Sequence, residues 1–423
     1  MAGVAPDFIL GACMTRVEAA WAGYLADCEE MRQRFLQDPT AQRYPVLVAN
    51  AHFILQQTQA MAYNLVMATR QNSPRFLRGH FFEPLLYTAH QPNPDFVYQT
   101  AFLNGSRSWR ISGRRNSAHW VEIQASSGWW GDKGYQGLGN YDLDEFELDS
   151  DGSFELIASP HPVSGNWIRL DGSRGSDALL VRAAMYDWQR EEAPEFFIEP
   201  MEPGPTGPAI LDEQDIIERL GRCGEYVRHC IGRWTTRGSP ALLAKAGFNQ
   251  FLTRTGEVAR GGANPLAHYG QAVYELAPDE ALIIETDDPR AAYWGISLGT
   301  WWWETTDPTH HHSSINGHQA SFDPDGKFRA VLSHSDPGVA NWLDSAGWPV
   351  GIILLRWYRP QIEQKVITSK VPFADLRRHL PKETAEVSPT ERSQEIARRG
   401  RAVMRWYGYQ RPIVDRQIRG SSN

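Results

Sequence analysis

"DSDGSFELIASPHPVSGNWIRL" (149–170) and "DPDGKFRAVLSHSDPGVANWLD" (323–344) are two versions of one pattern. Asp151 and Asp325, Phe154 and Phe328, and Ser159 and Ser333 each lie 174 residues apart. The same spacing joins Trp120 to Trp294 and Arg182 to Arg356, and only Asn166-Trp167 and Asn341-Trp342 slip, by one. A spacing held over such a length marks an internal duplication. From about residue 95 the chain reads as short alternating segments broken by Gly, Asn, Asp and Pro, the pattern of a sandwich. The expected fold is mainly β with helical additions: two tandem antiparallel β-sandwich, jelly-roll-like domains over 95–200 and 265–372.

Helical segments flank and join them. Val17, Trp21, Leu25, Cys28, Met31 and Phe35 form one apolar stripe, and 46–70 is a second helical stretch beyond "DPTAQRYP" (38–45). Residues 1–75 therefore read as a helical hairpin region. A Pro/Gly linker, "EPMEPGPTGPA" (199–209), leads into an amphipathic helix within 201–264. In the tail, 373–423, Ser388, Pro389 and Glu391 form a capping box at the start of a helix. Its arginine-rich face reads as a solvated surface or an oligomer contact.

Composition narrows the function. A net charge of −8 argues against non-specific nucleic-acid binding, which needs basic patches. No apolar run reaches the ~18 residues of a membrane span. The N-terminus lacks the basic start of a signal peptide, and Cys13, Cys28, Cys223 and Cys230 make no C-x-x-C pair. A cytoplasmic protein with neither nucleic-acid nor membrane partners is expected, and a homo-oligomer is left open. Sixteen tryptophans, five of them in "GWWGD" (128–132) and "GTWWWETTD" (299–307), suit either core filling or an aromatic wall for a flat ligand. On a strand Trp301 to Trp303 would alternate between faces, so one core cannot hold all three.

The second half, through "AYWGISLG" (292–299), "DGKF" (325–328), "SHSDPGVANWLD" (333–344) and "GIILLRWYRP" (351–360), resembles the DUF1214 family of bacterial proteins. The first half looks like the region accompanying it in longer members. The resemblance implies jelly-roll-like sandwiches and carries no function. The helical first 75 residues differ from the β-rich DUF1254 partner of many members.

"THHHSSINGHQ" (309–319) holds four of the chain's thirteen histidines. In "FDPDGKF", Pro324-Asp325-Gly326 has the form of a three-residue hairpin loop closed by a G1 bulge. Asp323 then faces Lys327. Pairing continued backwards sets His318 opposite Leu332 and Asn316 opposite His334, which makes His318 and His334 diagonal neighbours about 7–8 Å apart. His310, His312 and Asn316 would share their face.

Three uses of such a pair stay open: one divalent metal held by His318, His334 and a carboxylate (Asp336 or Glu304), metal-free His/carboxylate acid–base chemistry, or structural histidines. Arg182 and Arg356 each follow an apolar strand, and an Arg entering such a strand needs a partner, with Asp187 or Glu199 the candidates in the first domain. Their recurrence with Asn-Trp in both halves favours a structural role. "GISLG" (295–299) fits G-x-S-x-G, but no helix follows Ser297, so it reads as a strand serine.

The leading expectation is a hydrolase or lyase with a Trp-rich cleft in the second sandwich, acting on a sugar-like hydroxylated ligand. His318, His334, Asp336 and Glu304 are its candidate catalytic groups, with Glu304 and Asp336 the pair a glycosidase would need. Trp303, His312, Asn316, Asn341, Trp342 and Arg356 are the candidate ligand contacts. A non-catalytic binder of an apolar or polycyclic molecule is the alternative, and a purely structural assembly protein the third reading.

Overall fold

A computed structural model describes residues 15–408 apart from 174, 206, 208–209, 255–265 and 363; the ends of the expected terminal regions, part of the linker and Cys13 lie outside them. Three helices come first, α1 (Arg16–Leu36), α2 (Pro39–Arg43) and α3 (Pro45–Ala62), the last running into a π-helical turn at Tyr63–Met67. The first β region holds β1 (Leu77–Arg78), β2 (Phe96–Leu103), β3 (Trp109–Arg114), β4 (Trp120–Ser127), β5 (Gln136–Asp142), β6 (Ser153–Ser159), β7 (Trp167–Arg169), β8 (Asp177–Ala184) and β9 (Glu195–Pro200). Between the sandwiches lie α4 (Glu213–His229), a second π-helical turn (Cys230–Thr235) and α5 (Thr236–Ala246). The second β region holds β10 (Phe251–Arg254), β11 (Ala267–Glu275), β12 (Glu280–Asp287), β13 (Tyr293–Thr300), β14 (Ser314–Asn316), β15 (Lys327–Ser333), β16 (Trp342–Asp344), β17 (Val350–Tyr358) and β18 (Val366–Pro372). Helix α6 (Pro389–Trp406) follows and carries the capping box from Ser388 and Glu391.

The duplication is explicit in the strand order. The first sandwich pairs a five-stranded sheet, β1-β2-β8-β4-β5, with a four-stranded one, β7-β6-β3-β9. The second has β10-β11-β17-β13-β14 and β16-β15-β12-β18, the same order with every strand number raised by nine. The Asn-Trp pair explains why it recurs. Asn166 Nδ2 donates to the carbonyls of Glu147 and Glu155, and Asn341 Nδ2 to those of Ser321 and Arg329. Trp167 and Trp342 each donate Nε1–H to the serine matched between the repeats, Ser159 Oγ at 3.1 Å and Ser333 Oγ at 3.0 Å. One match shifts. Trp120 stands opposite Ala184, and the equivalent place opposite Tyr358 is held by Tyr293, while Trp294 turns into the core of its own sandwich.

The turn at Pro324–Gly326 forms as read: Gly326 has φ +79°, Asp323 N–H donates to Lys327 O, and Phe322 faces Phe328. The pairing then stops. β15 lies between β12 and β16, while β14 has crossed to the other sheet beside β13. His318 is therefore in the crossing loop and does not face Leu332, nor Asn316 His334. Trp301 to Trp303 also depart from expectation: β13 ends at Thr300 and they form a turn.

The two five-stranded sheets are buried on both faces, as continuous apolar strands such as "VGIILLRWY" require. Their inner faces fill the sandwich cores. Their outer faces meet one another and α1, α3 and α4 in a third core, where Trp120 stacks on Tyr358 at 3.9 Å and Phe96 contacts Tyr293 at 5.3 Å between centroids. Helix α6 straps the two halves. Ala402, Val403 and Trp406 enter the first core, while the arginine-rich face expected to be solvated or intermolecular turns inward, with Arg392 4% and Arg399 2% exposed.

Replacing Asn341 by Ala should cost about 1–3 kcal/mol, since it strips the amide from two carbonyls and from Ser321 N–H at a largely buried position. Denaturant unfolding measures this, and a loss under about 0.5 kcal/mol would show the brace to be idle.

Candidate functional site

The histidines of "THHHSSINGHQ" are dispersed, each beside its own carboxylate. His310 Nδ1 lies 2.7 Å from Asp307, His311 Nδ1 2.7 Å from Asp344, His312 Nε2 2.8 Å from Glu395 and His318 Nε2 3.7 Å from Asp187. His334 instead lies 2.9 Å from Ser345 Oγ and 3.2 Å from Leu276 O. The expected His318–His334 pair, as catalytic dyad or metal ligands, is not assembled, because the two sit on different loops with different partners. Among the described residues no group of three or more His, Cys, Asp or Glu is placed to hold a metal ion.

The other expected catalytic residues are structural in position. Asp336 accepts from Gly338 N–H and from Arg392 of α6. Glu304 accepts from Asn50 Nδ2 at 2.6 Å, Thr88 Oγ1 at 2.8 Å and Gln57 Nε2 at 3.3 Å. Burial raises its pKa against those bonds. Of the expected ligand contacts, Asn341 and Trp342 belong to the brace, and His312 lies between Trp342 O and Glu395. Asn316 donates to Asp95 Oδ1 and Tyr186 O. Trp303 and Arg356 remain, and both line one cavity.

That cavity, of about 380 Å³, lies between the outer faces of the two five-stranded sheets rather than inside the second sandwich. Its size falls within the roughly 300–1,000 Å³ of small-molecule sites, and a boundary between domains is a common place for one. Trp120 and Tyr98 come from the first sheet, Tyr269, Tyr293 and Tyr358 from the second, and Trp130 and Trp234 close it from the helical side. Trp234 belongs to the π-helical turn after α4, a distortion frequent at functional sites.

Two loops complete the wall. The one before β2 carries His90 (φ +70°) and Gln91 (φ +55°), and the turn after β13 carries Trp303 (φ +62°). With Phe82 (φ +47°), four cavity residues hold a left-handed backbone without being glycine. Such strain, of order 1–3 kcal/mol each, persists only where surrounding contacts impose it, and it clusters at ligand sites. The contacts are visible. Gln91 N–H donates to Trp303 O at 2.7 Å, Thr305 N–H to Thr88 O at 2.8 Å, and the Glu304 carboxylate ties the turn to α3. Glu304 thus acts as a positioning residue for Trp303. The indole also needs Gly238, where a Cβ would stand 2.5 Å from Trp303 Nε1. Trp301 and Trp302 point away, Trp302 packing edge-on against Phe35 and bonding Leu47 O.

His90 is the buried titratable group of this wall. Its ring nitrogens lie 3.4 Å from Thr58 Oγ1 and 3.5 Å from Thr235 Oγ1, and burial, with His229 nearby, pushes its pKa down to about 3. It is neutral near pH 7. Sequence reasoning passed over His90, Trp234 and Gly238. The signal available was "TAHQPN" (88–93), a turn-rich run ahead of a doubly buried strand.

No family model and no curated protein matches the chain. Among solved structures, an uncharacterized protein from Burkholderia cenocepacia is similar, with 25% identity and a TM-score of 0.77 over 86% of this chain and 99% of its own. The VPA0106 protein from Vibrio parahaemolyticus aligns over 84% of this chain and 100% of its own, with 12% identity and a TM-score of 0.41. The Burkholderia structure shares the β-rich fold. Among the described residues no helix is long and apolar enough to cross a membrane.

The pH dependence of stability tests the state of His90. Its folded pKa lies below the ordinary 6.5, so the unfolded chain binds the proton first. The contribution is intact above about pH 6.5 and is lost, by up to about 1.4 kcal/mol per unit, as pH falls towards 3. His90→Asn, which tolerates the left-handed backbone, should flatten the stability slope between about pH 6 and 4.5 by up to that amount. Denaturant titrations at several pH values read it, and an unchanged slope would show that His90 protonates freely in the native state.

Proposed function

We propose that the protein binds a small organic molecule with a flat apolar body in the cavity between its two sandwiches, as a binding protein rather than a hydrolase. The observation that carries this reading is the coincidence of an aromatic-lined cavity with four non-glycine residues held at positive φ in its wall. Aromatic side chains on several sides offer stacked and edge-on contacts to a planar ring system.

The hydrolytic reading loses its residues. His318, His334, Asp336 and Glu304 do not line the cavity, and Glu122, the one carboxylate among the described residues that does, is engaged by Arg182. Two carboxylates across a glycosidic bond are not provided by the described lining. His90, neutral and set between two threonine hydroxyls, fits a polar fixing point for a ligand atom better than a base for a difficult proton.

Naphthalene-2-carboxamide, a neutral flat probe, tests the proposal by calorimetric titration of the full chain. Saturable one-to-one binding is expected, weakened about tenfold or more by Trp234→Ala, which removes an aromatic wall. Absence of binding, or binding indifferent to Trp234, would overturn it.

A further inference from the structure

Arg182 and Arg356 occupy one and the same position of the two repeats. Arg182 on β8 stands opposite Tyr98 on β2 and Glu122 on β4. Arg356 on β17 stands opposite Tyr269 on β11 and Gly295 on β13. The tyrosine opposite each arginine is matched, but on the other side the first repeat has a glutamate and the second a glycine. Both arginines line the cavity, so this difference bears on its charge.

In the first repeat the guanidinium is satisfied within the protein. Arg182 Nη1 lies 3.0 Å from Glu122 Oε2, and Nη2 donates to Gln124 Oε1 at 3.1 Å. In the second repeat no glutamate is there to answer. The space a side chain at Gly295 would enter is occupied by Tyr293 Oη and Asp95 Oδ2, 2.9 and 3.0 Å from the position of a Cβ. That Asp95 carboxylate is already taken up by Tyr293 Oη, Trp188 Nε1 and Asn316 Nδ2. Arg356 keeps one bond, from Nη2 to the carbonyl of Gln91 at 2.7 Å, and makes no ion pair with any described residue. A guanidinium carries five N–H donors, so most of this one is unspent.

The rest of the lining does not cancel the charge. Arg233 and Arg254 also border the cavity, which among the described residues then counts four arginines against the one carboxylate of Glu122. A half-buried cation without a counter-ion among aromatic side chains is costly, and an anion arriving in the cavity offsets that cost. Guanidinium geometry favours a planar oxyanion, because two parallel N–H···O bonds match the two oxygens of a carboxylate.

We propose that the cavity's ligand is an organic anion, a flat apolar body bearing a carboxylate, and that Arg356 is the residue that grips the carboxylate while the aromatic walls take the body. This rests on the flat-ligand reading above. The duplication explains the arrangement: one repeat retains an internal ion pair, and in the other the place of its carboxylate is left to the ligand.

The test compares naphthalene-2-carboxylate with the neutral naphthalene-2-carboxamide, by calorimetry on the full chain and on Arg356→Gln. The carboxylate is expected to bind at least about tenfold more tightly to the native protein, the equivalent of ~1.4 kcal/mol. In Arg356→Gln that preference should fall towards one, the carboxylate losing more affinity than the carboxamide. Near-ultraviolet circular dichroism checks the fold of the variant. If Arg356→Gln does not fold, Arg356→Lys, which keeps the charge but not the planar fork, should lose part of the preference; an undiminished ratio there would overturn the paired grip.

Equal binding of the two probes by the native protein would overturn the anion while leaving the flat-ligand reading standing. Binding of neither would remove both. A preference that survives in Arg356→Gln would overturn the assignment to Arg356.

Discussion

The carboxylate of Asp95, 3% exposed, is the point on which the two halves of the molecule are hung. Oδ1 accepts from Trp188 Nε1 of the first repeat and Asn316 Nδ2 of the second, and Oδ2 from Tyr293 Oη at 2.6 Å. Burial raises its pKa, and these three donors oppose that shift. A carboxylate so placed is tolerable only with its oxygens satisfied, so the donors and the strands that carry them are held to one arrangement. Tyr293 takes the constraint onward, since its hydroxyl also accepts from Asn93 Nδ2 while its ring lines the cavity. The separation of the two sheets, and hence the cavity, follows from this seam.

Helix α6 reinforces the same seam from the outside. Arg399 lies over Trp188 of the first repeat at 4.3 Å and donates to Pro308 O and Ser314 Oγ of the second. Burial holds its pKa down to about 10, with Glu395 and Asp95 opposing the shift, so it stays charged near pH 7. Arg392 pairs with Asp336 and Glu395 in turn. Asp336, which looked available for chemistry in the sequence, is here a counter-charge of the strap, and His312 is held beside another, Glu395. An inward-facing arginine face must be answered residue by residue.

What the repeats share and where they part company divide by role. The Asn-Trp brace serves the same carbonyls and the same serine in both, a matter of closing the sandwich edge. Among the positions that differ, Trp120, Glu122 and Tyr293 line the cavity, with Gly295 standing in the place of Glu122. Much of the architecture was legible in the chain because its signals are local or periodic: the two sandwiches from the repeated strands, the start of α6 from Ser388 and Glu391, the hairpin turn from Pro324 to Gly326. The site was not legible in the same way. A tight turn dictates the register of the residues next to it but not how far the pairing runs, and β14 left the hairpin for the opposite sheet. The diagonal His318–His334 pair disappeared with it.

By itself the sequence determined that this is a duplicated β-sandwich protein with helical additions, since alternation, turn chemistry and a repeated spacing act over a few residues at a time. It also marked Trp303 and Arg356, the first as a tryptophan no shared core could take, the second as a charge inside an apolar strand. Only the tertiary structure decided what they do. Which face of β17 looks outward, and that the outward faces of two separate sandwiches meet across one cavity, depends on packing between segments far apart in the chain. Burial of both faces of the five-stranded sheets imposes that meeting, and no local pattern encodes the partner against which a face is buried.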